Sequence, residues 1–179
     1  MLSLLPQLRK HFDSLQDRLT LFAQQGIQVE GWFKGELLLA FSRLLSNGTI
    51  ERLDREVRFP EGRVDISLAR GGRENLVELK HWLVGDQKGY KYDPSFYFPD
   101  PTSVGILPDV KKLVRISSSG ARWLLILLTA RPEADKWAKG IATFNAKFAP
   151  LRVSSHTSPP DFPPAYFLGL LSVSQATDA

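Results

Sequence analysis

Asp65, Glu78 and Lys80 are the side chains of this 179-residue chain whose types and spacing could do chemistry together. They lie in two strand-like runs on either side of Gly71-Gly72, a favoured two-residue turn because both positions can take positive φ. In the register that this turn sets, Asp65 lies directly opposite Glu78, with Cβ atoms about 4.5–5.5 Å apart. Lys80 projects from the same face, two residues further along the strand.

The apolar residues of the two runs support this register. Val64 faces Leu79 and Ile66 faces Val77, so that one coherent apolar face forms, which a slip of one residue would scramble. On the other face, two opposed carboxylates destabilise the hairpin unless something offsets their repulsion. A bound divalent cation is the natural compensation, and an ordinary set of surface salt bridges is the alternative.

A third acid, Glu36, lies in a predicted helix among the mostly apolar neighbours Trp32, Phe33, Leu39 and Ala40. An unpaired charge on such a face is costly, so Glu36 needs a partner. A helix packed on the sheet would bring it to the patch formed by Asp65 and Glu78. The alternative is a Glu at the rim of the helix that pairs with Arg43 or Lys34.

The elements that must position these side chains follow from hydrophobic periodicity and turn signals. The pattern predicts a mixed α/β (α+β) fold in one domain, with the element order α-α-β-β-β-α-β-α-β and an antiparallel meander that feeds a crossover helix and a buried strand. The predicted helices are about 4–24, Trp32–Ser46, Pro108–Ile116 and Glu133–Phe148. The predicted strands are Ile50–Phe59, Arg63–Ala69, Glu74–Trp82, Arg122–Thr129 and Ala165–Val173, with loops over about 84–107 and over Ser154–Pro164.

Composition excludes several kinds of site. The chain has no cysteine and only three histidines, far apart in sequence, which argues against disulfides, thiolate zinc sites, iron–sulfur clusters and multi-histidine metal sites. Metal chemistry would therefore depend on carboxylates and water, which suits Mg²⁺ or Mn²⁺. The formal net charge of +4 is a weak indication of an anionic partner. No signal peptide or membrane-spanning run is evident, and we expect a cytoplasmic protein.

The helix Glu36, the strand Asp65 and the Glu78-Leu79-Lys80 triplet together resemble the motif of the PD-(D/E)XK nuclease superfamily. Val64 stands where the name of the motif has Pro. The resemblance covers about residues 30–130, where the predicted order is that of the restriction-endonuclease-like αβββαβ core. Here the core would carry an extra N-terminal helix, and residues 131–179 would complete the sheet.

The resemblance implies a site and a cofactor. Asp65 and Glu78 would hold one or two Mg²⁺ ions, for which Mn²⁺ could substitute, with the Leu79 carbonyl as a further ligand. Lys80 would assist the attacking water, and Glu36 would complete the site.

Basic and aromatic residues after Lys80 suggest contacts with nucleic acid, because aromatic rings stack on bases and lysines meet phosphates. An ordinary loop packed on the core, and a solvated basic helix face, are the alternatives. The candidate residues are Lys88, Tyr90, Lys91 and Tyr92 in the loop and Lys111, Lys112 and Arg115 on the next predicted helix.

The leading hypothesis is a Mg²⁺-dependent nuclease that hydrolyses phosphodiester bonds, most simply a DNA endonuclease. A chain of this length leaves little room for a separate recognition domain, so sequence preference would come from loops, a homodimer or a partner subunit. The competing hypotheses are a catalytically silent nuclease-like module that binds DNA or protein, and an enzyme that cleaves RNA.

Overall fold

The computed structural model describes residues 1–87 and 90–175, and of residues 85–87 and 90–92 the backbone alone. The helices are α1 (Leu5–Asp13), α2 (Gln16–Gln25), α3 (Glu30–Ser46), α4 (Pro94–Tyr97), α5 (Leu107–Arg115) and α6 (Ala134–Lys147). The strands are β1 (Arg52–Phe59), β2 (Gly62–Arg70), β3 (Arg73–Leu83), β4 (Gly85–Gln87), β5 (Tyr90–Tyr92), β6 (Arg122–Thr129), β7 (Leu151–Ser155) and β8 (Tyr166–Gln175).

A six-stranded mixed sheet in the order β1-β2-β3-β6-β8-β7 forms the centre of the molecule. β3 and β6 are parallel and the other neighbours are antiparallel, so the chain between β3 and β6 is the crossover that contains α5. β6 is buried from Trp123 to Thr129, as its continuous apolar run predicts. The prediction of a mixed sheet with helices packed on it is confirmed.

The first predicted helix is two helices in the structure. α1 ends at Asp13 and α2 begins at Gln16; between them Leu15 leaves the helical conformation (φ −112°, ψ 13°), and the hydroxyl of Ser14 donates to the His11 carbonyl at 2.6 Å. Such side-chain bonds compete with the helical ladder. Gly26 ends α2 in the left-handed conformation (φ 60°), as predicted.

Two further regions differ from the predicted elements. The predicted loop over 84–107 contains the β4–β5 ladder and the short helix α4. β7, an edge strand of five residues, was not predicted. Its Ser-rich end, Ser154 and Ser155, lies within the predicted loop over Ser154–Pro164, because it resembles a loop in composition. No helix in the described part of the chain is long and apolar enough to cross a membrane.

Candidate metal and phosphate site

The candidate site begins where the β2–β3 ladder ends. Gly71 and Gly72 form the predicted turn, with φ of 58° and 68°, and the pairs run from there to Ile66 opposite Val77. This part of the predicted register is confirmed. Asp65 lies one residue beyond the last pair.

The ladder ends there, so the predicted pairs Val64 with Leu79 and Asp65 with Glu78 are not part of it. At this point the Leu79 N–H donates to Asp65 Oδ2 at 3.0 Å, and β3 continues its pairing with β6. The two carboxyl groups are nevertheless neighbours, since the side chain of Glu78 shifts the pKa of Asp65 and the charge of Asp65 shifts the pKa of Glu78.

Glu78 is the buried member of this acidic pair, with 5% of its side chain exposed. Burial raises the pKa of Glu78 to about 8, and the neighbouring carboxylates of Asp65 and Asp109 add to the increase although Lys112 opposes it. Glu78 therefore holds a proton at neutral pH unless a cation replaces that proton.

Asp65 is held in the opposite state. Burial alone would raise the pKa of Asp65, but hydrogen bonds from Lys34 and from the Leu79 N–H outweigh it, so that the pKa lies below its usual value. Lys34 Nζ lies 2.8 Å from Asp65 Oδ1. The pair is thus one carboxylate and one neutral acid as neighbours.

Asp109 on α5 contacts two lysines, Lys80 on β3 and Lys112 on α5. Lys80 Nζ lies 2.9 Å from Asp109 Oδ2 and donates to the Ser103 carbonyl. Lys112 Nζ lies 2.6 Å from Glu78 Oε1 and 3.5 Å from Asp109 Oδ1. The charges therefore alternate along a chain of contacts from Lys34 to Lys80, except where the two acids Asp65 and Glu78 are neighbours.

Two buried carboxylate oxygens beside Lys112 and Lys80 are paired by charge alone, as is Glu56 Oε2 beside Arg63. Glu78 Oε1 and Asp109 Oδ2 lie within ion-pair distance of Lys112 and Lys80, but neither accepts a hydrogen bond of good geometry. Buried polar atoms normally have such a bond. These two oxygens therefore keep capacity for a further ligand.

Glu56 on β1 closes the other side of the site. Its neighbours in the strand pair with β2 on either side of Asp65, and Glu56 itself has a positive φ of 54°. This conformation costs a non-glycine residue of the order of 1 kcal/mol. The carboxylate of Glu56 contacts Lys34 and lies 2.6 Å from Arg63 Nε, and these contacts offset the cost.

The structure does not bring Glu36 to this cluster. Glu36 Oε2 lies 2.9 Å from His11 Nε2, and Oε1 lies 3.9 Å from Arg18. The physical reason is helical phase: positions 34 and 36 are about 200° apart around a helix, so that when Lys34 faces Asp65, Glu36 faces α1 and α2. The partners that we considered for Glu36, Arg43 and Lys34, are not the ones it takes.

His81 attaches the start of α3 to the sheet beside the site. Burial lowers the pKa of His81 to about 4, so the ring is neutral. The Val29 N–H, at the N-cap of α3, donates to its Nδ1 at 3.3 Å. This contact fixes the helix that carries Lys34.

The candidate nucleic-acid residues separate into three groups. Lys88 lies outside the described residues, and for Tyr90, Lys91 and Tyr92 the description is limited to the backbone of β5. Lys111 and Arg115 are exposed on α5. We expected Lys112 to share the side of α5 that carries Lys111 and Arg115. Instead its side chain turns inward to Glu78, because an ammonium there compensates a buried acid.

Sequence reasoning missed four members of the site: Lys34 as a partner of Asp65, and Glu56, Arg63 and Asp109 altogether. Asp109 and Lys112 are three residues apart on a helix, a spacing that places two charges side by side. That spacing was a usable signal. Nothing in the sequence marks Glu56, because its left-handed conformation has no local cause such as a glycine.

In the described residues, no group of three or more His, Asp or Glu side chains is placed to hold a metal ion. A metal here would depend on two carboxylates and main-chain oxygens. Comparisons with protein-family models, with curated proteins and with solved structures found no match to this chain.

Proposed function

We propose that this protein is a divalent-metal-dependent nuclease of the PD-(D/E)XK type that hydrolyses phosphodiester bonds, with DNA as the expected substrate. The observation that carries the proposal is that the Asp65 carboxylate, which accepts from the Leu79 N–H at 3.0 Å, is a neighbour of the buried Glu78 carboxyl, two residues before Lys80 on β3. Two neighbouring acids under burial need a proton or a cation between them. The proposal also takes the fold to be a restriction-endonuclease-like core, with α3, β1–β3, α5 and β6 as its elements.

The residues present fit a hard divalent cation such as Mg²⁺ or Mn²⁺. Asp65 and Glu78 would hold it with the Leu79 carbonyl, and the buried Glu78 Oε1 has capacity for it. Few protein ligands suffice for Mg²⁺, which keeps several waters. Bound there, the ion would polarise the phosphoryl oxygen and lower the pKa of a bound water. Glu36 is not included in this ligand set because it is paired with His11.

Lys80 lies two residues after Glu78 on β3 and adds a third ammonium group to the site. Asp109 orients its ammonium at 2.9 Å and the Ser103 carbonyl accepts a second bond. In this position Lys80 orients the attacking water and stabilises charge that develops on the phosphate. Asp109 acts through Lys80 and is a positioning residue.

The experiment is nicking of supercoiled plasmid by the purified chain with Mg²⁺, with Mn²⁺ and with EDTA. We expect metal-dependent nicking that is lost in Asp65→Asn. A matched single-stranded and structured RNA assay under the same conditions separates DNA from RNA cleavage. Equal nicking by wild type and Asp65→Asn would point to a contaminant and overturn the proposal.

A silent binding module is the second candidate, and a specific observation favours it. Asp65, Glu78 and Asp109 are each ion-paired to a lysine, so each of these acids has a compensating cation without a metal. This candidate predicts duplex binding without metal-dependent nicking.

A further inference from the structure

Two lysines hold the acid pair from separate helices. Lys34 on α3 lies 2.8 Å from Asp65, and Lys112 on α5 lies 2.6 Å from Glu78. Both side chains are largely buried, with 24% and 21% exposed. Neither role proposed above, cation binding or water orientation, uses these two ammonium groups.

Each lysine also has a second partner outside the acid pair. Lys34 contacts Glu56, and Lys112 donates to the Arg63 carbonyl at 2.8 Å and lies 3.5 Å from Asp109. These partners hold the ammonium groups beside Asp65 and Glu78 even when the two carboxylates are otherwise engaged. A lysine released from its carboxylate therefore stays at the site.

We propose that Lys34 and Lys112 form a two-ammonium binding site for one phosphate of a nucleic-acid backbone, closed by Asp65 and Glu78 until these carboxylates coordinate a divalent cation. The inference rests on the proposed function, because it needs the acid pair to bind a cation. It adds two substrate-binding residues and an order of events to that function.

The charge balance explains why the two ligands depend on each other. The cluster joins the acids Glu56, Asp65, Glu78 and Asp109 to an equal number of cations, Lys34, Arg63, Lys80 and Lys112. While Lys34 and Lys112 lie on Asp65 and Glu78, these four side chains occupy one another. Coordination of a divalent cation by the two acids adds positive charge and releases two ammonium groups, so each ligand raises the affinity for the other.

The first measurement is Mn²⁺ affinity by isothermal titration calorimetry in the absence of nucleic acid. Lys112→Met and Lys34→Met remove an ammonium that competes for the carboxylates, and we expect each to bind Mn²⁺ about tenfold more tightly than wild type. Lys111→Met is the matched control, since it removes the same charge from an exposed neighbouring position of α5. We expect it to bind Mn²⁺ like wild type.

The second measurement is the affinity for a fluorescent 20-base-pair duplex by anisotropy, with Mn²⁺ or with EDTA. Lys80→Met is the background in every sample, because we expect it to suppress cleavage. In this background Mn²⁺ should strengthen duplex binding about tenfold. The added changes Lys34→Met and Lys112→Met should abolish that strengthening, whereas Lys111→Met should preserve it.

The outcomes separate this inference from the proposed function. If wild type binds Mn²⁺ and Lys34→Met, Lys112→Met and Lys111→Met all bind it equally well, the lysines do not close the site and the inference is wrong while the proposed function stands. If neither wild type nor any variant binds Mn²⁺ at millimolar concentration, both are wrong. Circular dichroism verifies folding, and Lys112→Arg, which keeps the charge, should bind Mn²⁺ as weakly as wild type.

Discussion

Glu36 and Glu78 are both largely buried acids, yet the structure gives them opposite kinds of neighbour. Glu36 lies 2.9 Å from His11 and within ion-pair distance of Arg18, so both of its partners are bases. Glu78 lies beside Asp65 and near Asp109, and it needs Lys112 and a proton to be stable. A buried acid beside a base has its charge compensated, whereas a buried acid beside another acid needs a proton or a cation to offset the repulsion.

The largest expected effect is on cleavage. Asp65→Asn and Glu78→Gln should each lower the rate of plasmid nicking by about 10³-fold or more, because each removes a charge that would hold the catalytic cation. Glu36→Gln should change the rate less than fivefold, since His11 and Arg18 are its partners. A loss for Glu36→Gln as large as that for Glu78→Gln would remove the distinction between the two acids.

Lys80→Met should lower nicking by about 10²-fold or more, because a positioned proton donor or acceptor contributes that much to a rate. Duplex affinity with Mn²⁺ should change less than threefold. Parallel nicking and anisotropy assays on the same preparation check both. Weakened binding with unchanged nicking at saturating DNA would assign Lys80 to substrate binding instead.

The pH dependence of stability distinguishes the two acids without any assay of activity. The folded pKa of Glu78, about 8, lies above its ordinary value of 4.5, so the native state binds more protons between these limits and loses stability as the pH rises through them. In EDTA, Glu78→Gln should gain about 1–3 kcal/mol relative to wild type between pH 5 and pH 9.

Urea unfolding at the two pH values measures this effect, and Glu36→Gln is the control. Glu36 serves as the control because its partners, His11 and Arg18, are bases. If the stability of Glu78→Gln relative to wild type were the same at pH 5 and pH 9, the burial of an acid pair would not be the feature that defines the site.

A smaller effect is expected at the contact between Glu36 and His11. His11→Ala leaves the largely buried Glu36 without its partner at 2.9 Å and should cost about 1–2 kcal/mol of unfolding free energy. In a double-mutant cycle with Glu36→Gln most of that cost should disappear. Independent, additive costs would show that the two side chains are not coupled.

The smallest effect is expected on the exposed side of α5. Arg115→Met should change the unfolding free energy by less than about 0.5 kcal/mol and weaken duplex binding by less than threefold. The measurement is urea unfolding together with anisotropy. A large loss of duplex affinity would instead place the exposed side of α5 at the phosphate backbone.

Local signals predicted the hairpin well and long-range contacts poorly. Gly71-Gly72 and the apolar pair Ile66 and Val77 fixed the turn and the register, because both depend on residues near in sequence. The break between α1 and α2 at Ser14 and Leu15 interrupts neither the three- nor the four-residue spacing of apolar residues, so periodicity does not detect it.

In the candidate site, too, residues of one hairpin were predictable and contacts between distant residues were not. Asp65, Glu78 and Lys80 were predictable because strand alternation sets their face. The predicted neighbours of Glu36 were wrong because the phase of α3 depends on how the helix packs against residues distant in sequence, which helical periodicity does not reveal. Asp109 reaches Lys80 through the crossover, a contact between residues 29 positions apart in the numbering.

The most direct test of the comparison is Mn²⁺ binding measured by electron paramagnetic resonance in wild type, Glu78→Gln and Glu36→Gln. We predict that wild type and Glu36→Gln bind the ion with equal affinity and that Glu78→Gln loses it. Equal binding by all three proteins, or loss in Glu36→Gln alone, would contradict the account.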